Sequence, residues 1–128
     1  MAAVAQRLVV CPVDDLPPGG RKVVDAGPFG IGVFNVNGRY YALNNYCPHR
    51  GGPLCLGEIT GTTEETPDRE VVWTHEGEVL RCPWHNWEFV IESGRTVSEP
   101  AKHVKMYPVS VEDGQVVLDL PSRLGDVA

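Results

Sequence analysis

The 128-residue chain reads as an antiparallel all-β protein. Its 14 glycines and 11 prolines break it into short segments. Those segments are rich in Val, Ile, Tyr and Phe, and the pairs Asn37-Gly38, Ser93-Gly94 and Asp113-Gly114 stand between them. An Asn-Gly or Asp-Gly pair between β-rich runs signals a tight hairpin, because a type I′ turn needs positive φ at both central residues.

Taken in order, Val9-Val10 opens the first strand and Lys22-Val23-Val24 marks the second. Ile31 to Val36 and Arg39 to Leu43 flank Asn37-Gly38 as a hairpin that runs directly towards Cys47. Val71-Val72-Trp73 and Val79-Leu80-Arg81 read as a second hairpin turning at Glu76-Gly77 and delivering Cys82. Glu88 to Ile91 and Arg95 to Val97 bracket Ser93-Gly94 as a third, and Val109 to Val111 with Val116 to Leu120 bracket Asp113-Gly114 as a fourth. Between Gly57 and Glu70 the chain is polar and turn-rich, which reads as a solvated loop. From Glu58 to Glu78 it carries seven acidic residues against one base, Arg69. There is no internal repeat, and the length of residues 1–128 matches a single domain with a modest core.

Composition removes several classes of function. A net charge of −6 without clustered Lys and Arg argues against nucleic acid, whose phosphates need a cationic surface. Met1 to Val13 has only the short apolar run Leu8-Val9-Val10, neither a secretory core nor a membrane span, and no later stretch approaches spanning length. The expectation is a soluble, cytoplasmic protein. Four cysteines permit two disulfides, but a reducing compartment disfavours them. Cys11 and Cys55 then read as small buried apolar side chains.

The chemistry lies in Cys47-Pro48-His49 and Cys82-Pro83-Trp84-His85. Each string pairs a thiol with an imidazole, and each leaves a strand to enter a turn. Two Cys and two His, spaced C-x-H and C-x-x-H, match a [2Fe-2S] cluster in which His₂ replaces Cys₂ on one iron. The expected ligand set is Cys47 and Cys82 on one iron and His49 and His85 on the other, with the imidazoles nearer solvent. Pro48 and Pro83 stiffen the loops, Gly51-Gly52 permits close backbone approach, and Trp84, Trp87 and Phe89 offer apolar cover. A closed Cys₂His₂ zinc site is the competing reading, although zinc modules favour C-x-x-C and H-x₃₋₅-H pairs. His75 reads as a turn residue and His103 as a surface one.

Cys47-Pro48-His49-Arg50-Gly51-Gly52-Pro53-Leu54 together with Cys82-Pro83-Trp84-His85-Asn86-Trp87-Glu88-Phe89 closely resembles the two cluster loops of Rieske ferredoxins, carriers that serve ring-hydroxylating oxygenases. The likeness extends more loosely from about Ile31 to Leu120, and Ser98-Glu99-Pro100 resembles the family's proline-bearing third loop. The resemblance implies a Rieske-type antiparallel β-sandwich with a small cluster-binding subdomain at about residues 46–100, and one [2Fe-2S] cluster per chain. It implies an electron-transfer protein rather than an enzyme, taking electrons from a reductase donor and passing them to a terminal oxygenase or other redox acceptor. The alternative is a small Rieske subunit of a larger enzyme, such as nitrite reductase.

Two departures stand out. The 32 residues between His49 and Cys82 are about twice the family's usual gap, so the acidic stretch is an insertion, a docking face for a basic redox partner if not merely a loop. Asn86 stands where the family has Gly, and Asn tolerates left-handed backbone better than other non-glycine residues. The respiratory subfamily matches less well, because Gly52 and Trp84 occupy its disulfide positions and Trp87 replaces its hydroxyl donor. Fewer hydrogen bonds to a cluster disfavour reduction, so the expected potential lies at the low end of the Rieske range of about −150 to +300 mV. An oxygenase acting alone would need a 2-His-1-carboxylate iron site, for which only His75 and His103 remain.

Overall fold

The structure is a computed structural model and describes residues 6–48, 50–99 and 102–120. Among the described residues there are ten strands: β1 (Gln6–Pro12), β2 (Arg21–Val24), β3 (Ile31–Val36), β4 (Arg39–Asn44), β5 (Glu58–Glu65), β6 (Val71–Arg81), β7 (Glu88–Val90), β8 (Met106–Tyr107), β9 (Val109–Glu112) and β10 (Gln115–Leu120). They form three antiparallel sheets, ordered β1-β10-β9, β2-β3-β4-β8 and β5-β6-β7. The helical elements among the described residues are two single 3-10 turns, Val13–Asp15 and Leu54–Leu56. No helix there is long and apolar enough to cross a membrane.

β3 organises the molecule because both of its faces are covered. Side chains alternate across a strand, and Ile31 and Val33 enter one core with Leu16, Ala42, Val116 and Leu118. Phe34 enters the other, with Leu43, Cys47, Leu54, Leu80, Cys82 and Phe89. The first core joins the β1-β10-β9 sheet to β3 and β4, and the second underlies the two cysteine-bearing loops. Each fully buried Leu or Phe in these cores stabilises the fold by about 1.5–3 kcal/mol relative to exposure. Gly32 lies on the second face because Cys55 takes the space of a side chain there: a Cβ on Gly32 would sit 2.6 Å from the Cys55 Sγ. Cys11 and Cys55 are both buried thiols outside any disulfide, as the sequence suggested.

The hairpin at Asn37-Gly38 forms as expected, with Val36 opposite Arg39 and φ of 53° and 90° at the turn. That at Asp113-Gly114 does likewise, with φ of 52° and 76°. The turn at Ser93-Gly94 is closed by Gly94 N–H donating to Val90 O, but Arg95 and Thr96 form single bridges rather than a regular strand.

Two expectations fail. Val71 to Arg81 is a single strand, not a hairpin, and its partner is the stretch read as a loop: Glu58–Glu65 is β5. Glu76-Gly77 does mark a departure from extended backbone, but as a bulge. Between the pairs Thr62↔Thr74 and Thr60↔Val79, β6 spends residues 75–78 against Gly61 alone. His75 and Gly77 absorb the bend with φ of 57° and 81°.

Candidate metal centre

The two cysteine loops are built alike. β4 ends at Asn44 and β6 at Arg81, so each thiol follows a strand that fixes its entry. In the first loop, Cys47 N–H donates to Gly52 O (2.9 Å) and Gly51 N–H donates to Cys47 O (2.7 Å). In the second, Cys82 N–H donates to Trp87 O (2.8 Å) and Asn86 N–H donates to Cys82 O (2.9 Å). The residue closing each turn is left-handed, Gly51 at φ 77° and Asn86 at φ 59°. Asn86 thus adopts the backbone that its place in the motif requires.

The loops also meet. A Cβ on Gly52 would lie 2.9 Å from the Trp84 ring and 3.2 Å from the Cys82 Sγ. The missing side chain at Gly52 therefore lets the first loop's backbone approach the thiol of the second. Gly51 is equally confined, since its Cβ would lie 3.0 Å from the Tyr46 ring. Cys47 and Cys82 are each 1% exposed and belong to the same core, whereas His85 is exposed. His49 lies outside the described residues, as does Pro100 of the third loop.

Phe89 is fully buried and Trp87 half-buried against the same core, but Trp84 is 58% exposed, so its cover extends over Gly52 rather than into the interior. Lys102 Nζ lies 5.1 Å from the Trp87 ring centroid. The stretch before Pro100 is pinned: Glu99 N–H donates to Thr96 Oγ1 at 3.0 Å, and Lys102 N–H donates to Glu99 O at 2.8 Å. Thr96, Val97 and Ser98 share a cavity of about 180 Å³ with Asn86, Trp87 and Glu88, which places this loop against the second cysteine loop.

Three supports escaped the sequence reading. Arg21 reaches from β2 to the Cys55 carbonyl (2.9 Å) and the Gly57 carbonyl, fastening the 3-10 turn that follows the first loop. Asn45 Oδ1 accepts the Cys55 N–H at 2.8 Å, and its Nδ2 donates to Phe29 O at 3.2 Å. Arg81, just before Cys82, stands between Glu58 and Glu88 across three strands, at 3.3 and 3.1 Å. Arg21 and Asn45 act on backbone atoms remote in sequence, a relationship that carries no local signal.

The donor chemistry suits an iron–sulfur cluster: buried Cys47 and Cys82 come from two loops into one core, with Gly52 backbone beside the Cys82 sulfur and an exposed imidazole, His85, on the second loop. Among the described residues, which exclude His49, no three His, Cys, Asp or Glu side chains are gathered as a metal site. A β-sandwich carrying paired Cys/His loops defines a Rieske-type protein, and comparison with known proteins agrees. The Rieske [2Fe-2S] domain matches residues 6–108, and the chain belongs to this family. It is 31% identical over 116 residues to the 3-phenylpropionate/cinnamic acid dioxygenase ferredoxin subunit of Escherichia coli K12, covering 90% of this chain and 94% of that one. Among solved structures it resembles the Sphingomonas yanoikuyae B1 ferredoxin, with a TM-score of 0.65, 27% identity, and 91% and 100% of the two chains covered. It also resembles the chain matched in a complex of reduced oxygenase and oxidised ferredoxin of carbazole 1,9a-dioxygenase, with a TM-score of 0.68, 25% identity, and 91% and 94% covered.

Proposed function

We propose that this chain is a one-electron carrier whose [2Fe-2S] cluster is held by Cys47 and Cys82 on one iron and by His49 and His85 on the other. When bound, the cluster supplies reversible one-electron chemistry at low potential. The observation that carries this reading is the twin construction of the two loops, with Gly52 bringing one against the thiol of the other. The core behind Cys47 and Cys82 excludes water from the thiolate side. His85, exposed, gives the electron a short exit, and both thiols must be deprotonated to bind iron.

The donor is a reductase and the acceptor a terminal oxygenase, by similarity to the dioxygenase ferredoxin subunits. Exposed apolar side chains sit on both loops and beside them: Tyr46 tilted against Phe29 with ring centroids 4.5 Å apart, Leu56 (61% exposed) and Trp84. They form a docking rim that a partner covers as it approaches His85.

Anaerobic voltammetry of the iron-loaded chain, from near-neutral to alkaline pH, tests this reading. The expected result is a reversible one-electron wave with a potential at the low end of the Rieske range. Zinc in place of iron after reconstitution, with no redox wave, would overturn it. A stable complex on purification would instead identify the chain as a small subunit of a larger enzyme.

A further inference from the structure

The β5–β6 arm carries a surface that the fold does not use. Val71, Val72 and Trp73 are 70%, 38% and 54% exposed at the start of β6. Opposite them on β5 lie Glu65, Glu64 and Thr63, in that register. The indole of Trp73 rests on Gly61, where a Cβ would come within 2.9 Å of it, so the ring is held in place rather than trailing in solvent. The arm's tip is built too: Arg69 N–H donates to Thr66 O at 2.9 Å and Thr66 N–H donates to Glu70 O at 2.8 Å. Side chains alternate along β6, so Val71 and Trp73 share one face of the arm with Thr63 and Glu65, while Val72 and Glu64 lie on the other, and each face sets apolar side chains beside acids. Glu64, Glu65, Asp68, Glu70 and Glu76 are exposed and in no salt bridge among the described residues.

We propose that this arm is a second docking element, which grips a redox partner bearing a Lys/Arg-rich surface around an apolar recess for Trp73. Charge decides the occupant. A second copy of a chain of net charge −6 would set acid against acid on this arm, whereas a cationic surface pairs with five exposed acids that are in no salt bridge among the described residues. β6 connects the two functions, with the apolar side chains at its start and Cys82 directly after its end. The root of the arm is tied to the second cysteine loop by Arg81 between Glu58 and Glu88, and by Thr62 Oγ1 donating to Glu88 Oε1 at 2.7 Å. A partner held on the arm is therefore held at a fixed orientation to the loop bearing His85.

This inference rests on the carrier reading, and the test separates the two. The probe is mitochondrial cytochrome c, a redox protein whose lysines ring an apolar haem edge. Its reduction by the reduced, cluster-loaded chain is followed by stopped flow against ionic strength. The arm variants are Trp73→Ser and the combined Glu64→Gln, Glu65→Gln, Glu70→Gln, all at exposed positions. Each should lower the rate about tenfold at low salt; the Glu→Gln variant should also flatten the salt dependence, whereas the uncharged Trp73→Ser should keep the wild-type slope, while reduction by dithionite and the midpoint potential stay unchanged. Wild-type rates in both variants, with an unchanged salt slope in the Glu→Gln one, would overturn the docking proposal. A dimer abolished by Trp73→Ser, with the kinetics unaltered, would overturn it in favour of self-association. Failure of the wild-type chain to reduce the probe at all would instead remove the carrier reading beneath it.

Discussion

Gly51 and Asn86 hold the same place in two different loops: each donates its N–H to the carbonyl of the cysteine four residues before it, at 2.7 and 2.9 Å. Each is also left-handed, at φ 77° and 59°. A cysteine whose carbonyl is tied back in this way has its Cα–Cβ bond aimed by the turn, so the turn-closing residue positions the thiol.

The first prediction concerns Asn86. Left-handed backbone costs an ordinary L-residue about 1–2 kcal/mol, and Asn less. Asn86→Gly should therefore leave stability within about 1 kcal/mol of the wild type and retain the cluster. Asn86→Val should lose about 2 kcal/mol or more and bind less iron. Denaturant unfolding and iron content of the purified proteins measure both effects.

The contact between loops yields a second. Gly52→Ala puts a methyl 2.9 Å from the Trp84 ring and 3.2 Å from the Cys82 Sγ. The atoms met in Trp84 lie near the root of the side chain, so the ring must leave or the loops must part. Cluster occupancy should fall for Gly52→Ala and recover in part for Gly52→Ala with Trp84→Ala, since two residues in contact are coupled. Visible absorbance per chain is the readout. Equal occupancy in the single and double variants would show that the cost lies at the sulfur rather than the ring.

Arg21 provides a third. Its guanidinium serves two carbonyls of the turn after the first loop, Cys55 and Gly57. Hydrogen bonds from a charged donor are worth about 1.5–3 kcal/mol where water is excluded, and part of that here because Arg21 is exposed and only the bonds themselves are partly buried. Arg21→Ala should cost about 1–2 kcal/mol in denaturant unfolding. Arg21→Lys should recover only some of it, because an ammonium does not present a planar fork to two acceptors.

The sequence made the hairpins and the two loops legible because their signals are local. Asn37-Gly38 needs nothing distant to turn, and a Cys two or three residues from a His declares its chemistry on the spot. β5 was hidden because its acids outweigh the β-formers Ile59, Thr60, Thr62 and Thr63 in any local reading. The break at Glu76-Gly77 was a real signal with two structural uses, a reversal or a bulge. The choice between them depended on Glu58–Glu65 being present to pair with both halves of β6. Arg21 was illegible for the same reason, since its acceptors lie 34 and 36 residues away and are backbone atoms.

The last prediction is a loss of stability at high pH traceable to Cys55. Its side chain is fully buried, its thiol lies 3.3 Å from the Leu43 carbonyl, and burial pushes its pKa up to about 12 from an ordinary 9. The protonated thiol is neutral and tolerated in the core, whereas the thiolate is not. Between pH 9 and 12 the folded chain keeps a proton here that the unfolded chain has released. Stability therefore falls as pH rises through that window, by up to about 1.4 kcal/mol per unit from this group, and its contribution is fully present below pH 9. Tyr107, also raised to about 12 by burial from 10, adds a slope of the same sign over the upper part of the window. Cys55→Ser keeps a hydrogen-bond donor near Leu43 O but does not titrate there. Denaturant unfolding at a series of pH values should thus show a shallower alkaline decline for Cys55→Ser than for the wild type. Parallel declines would mean that the thiol is not the group responsible.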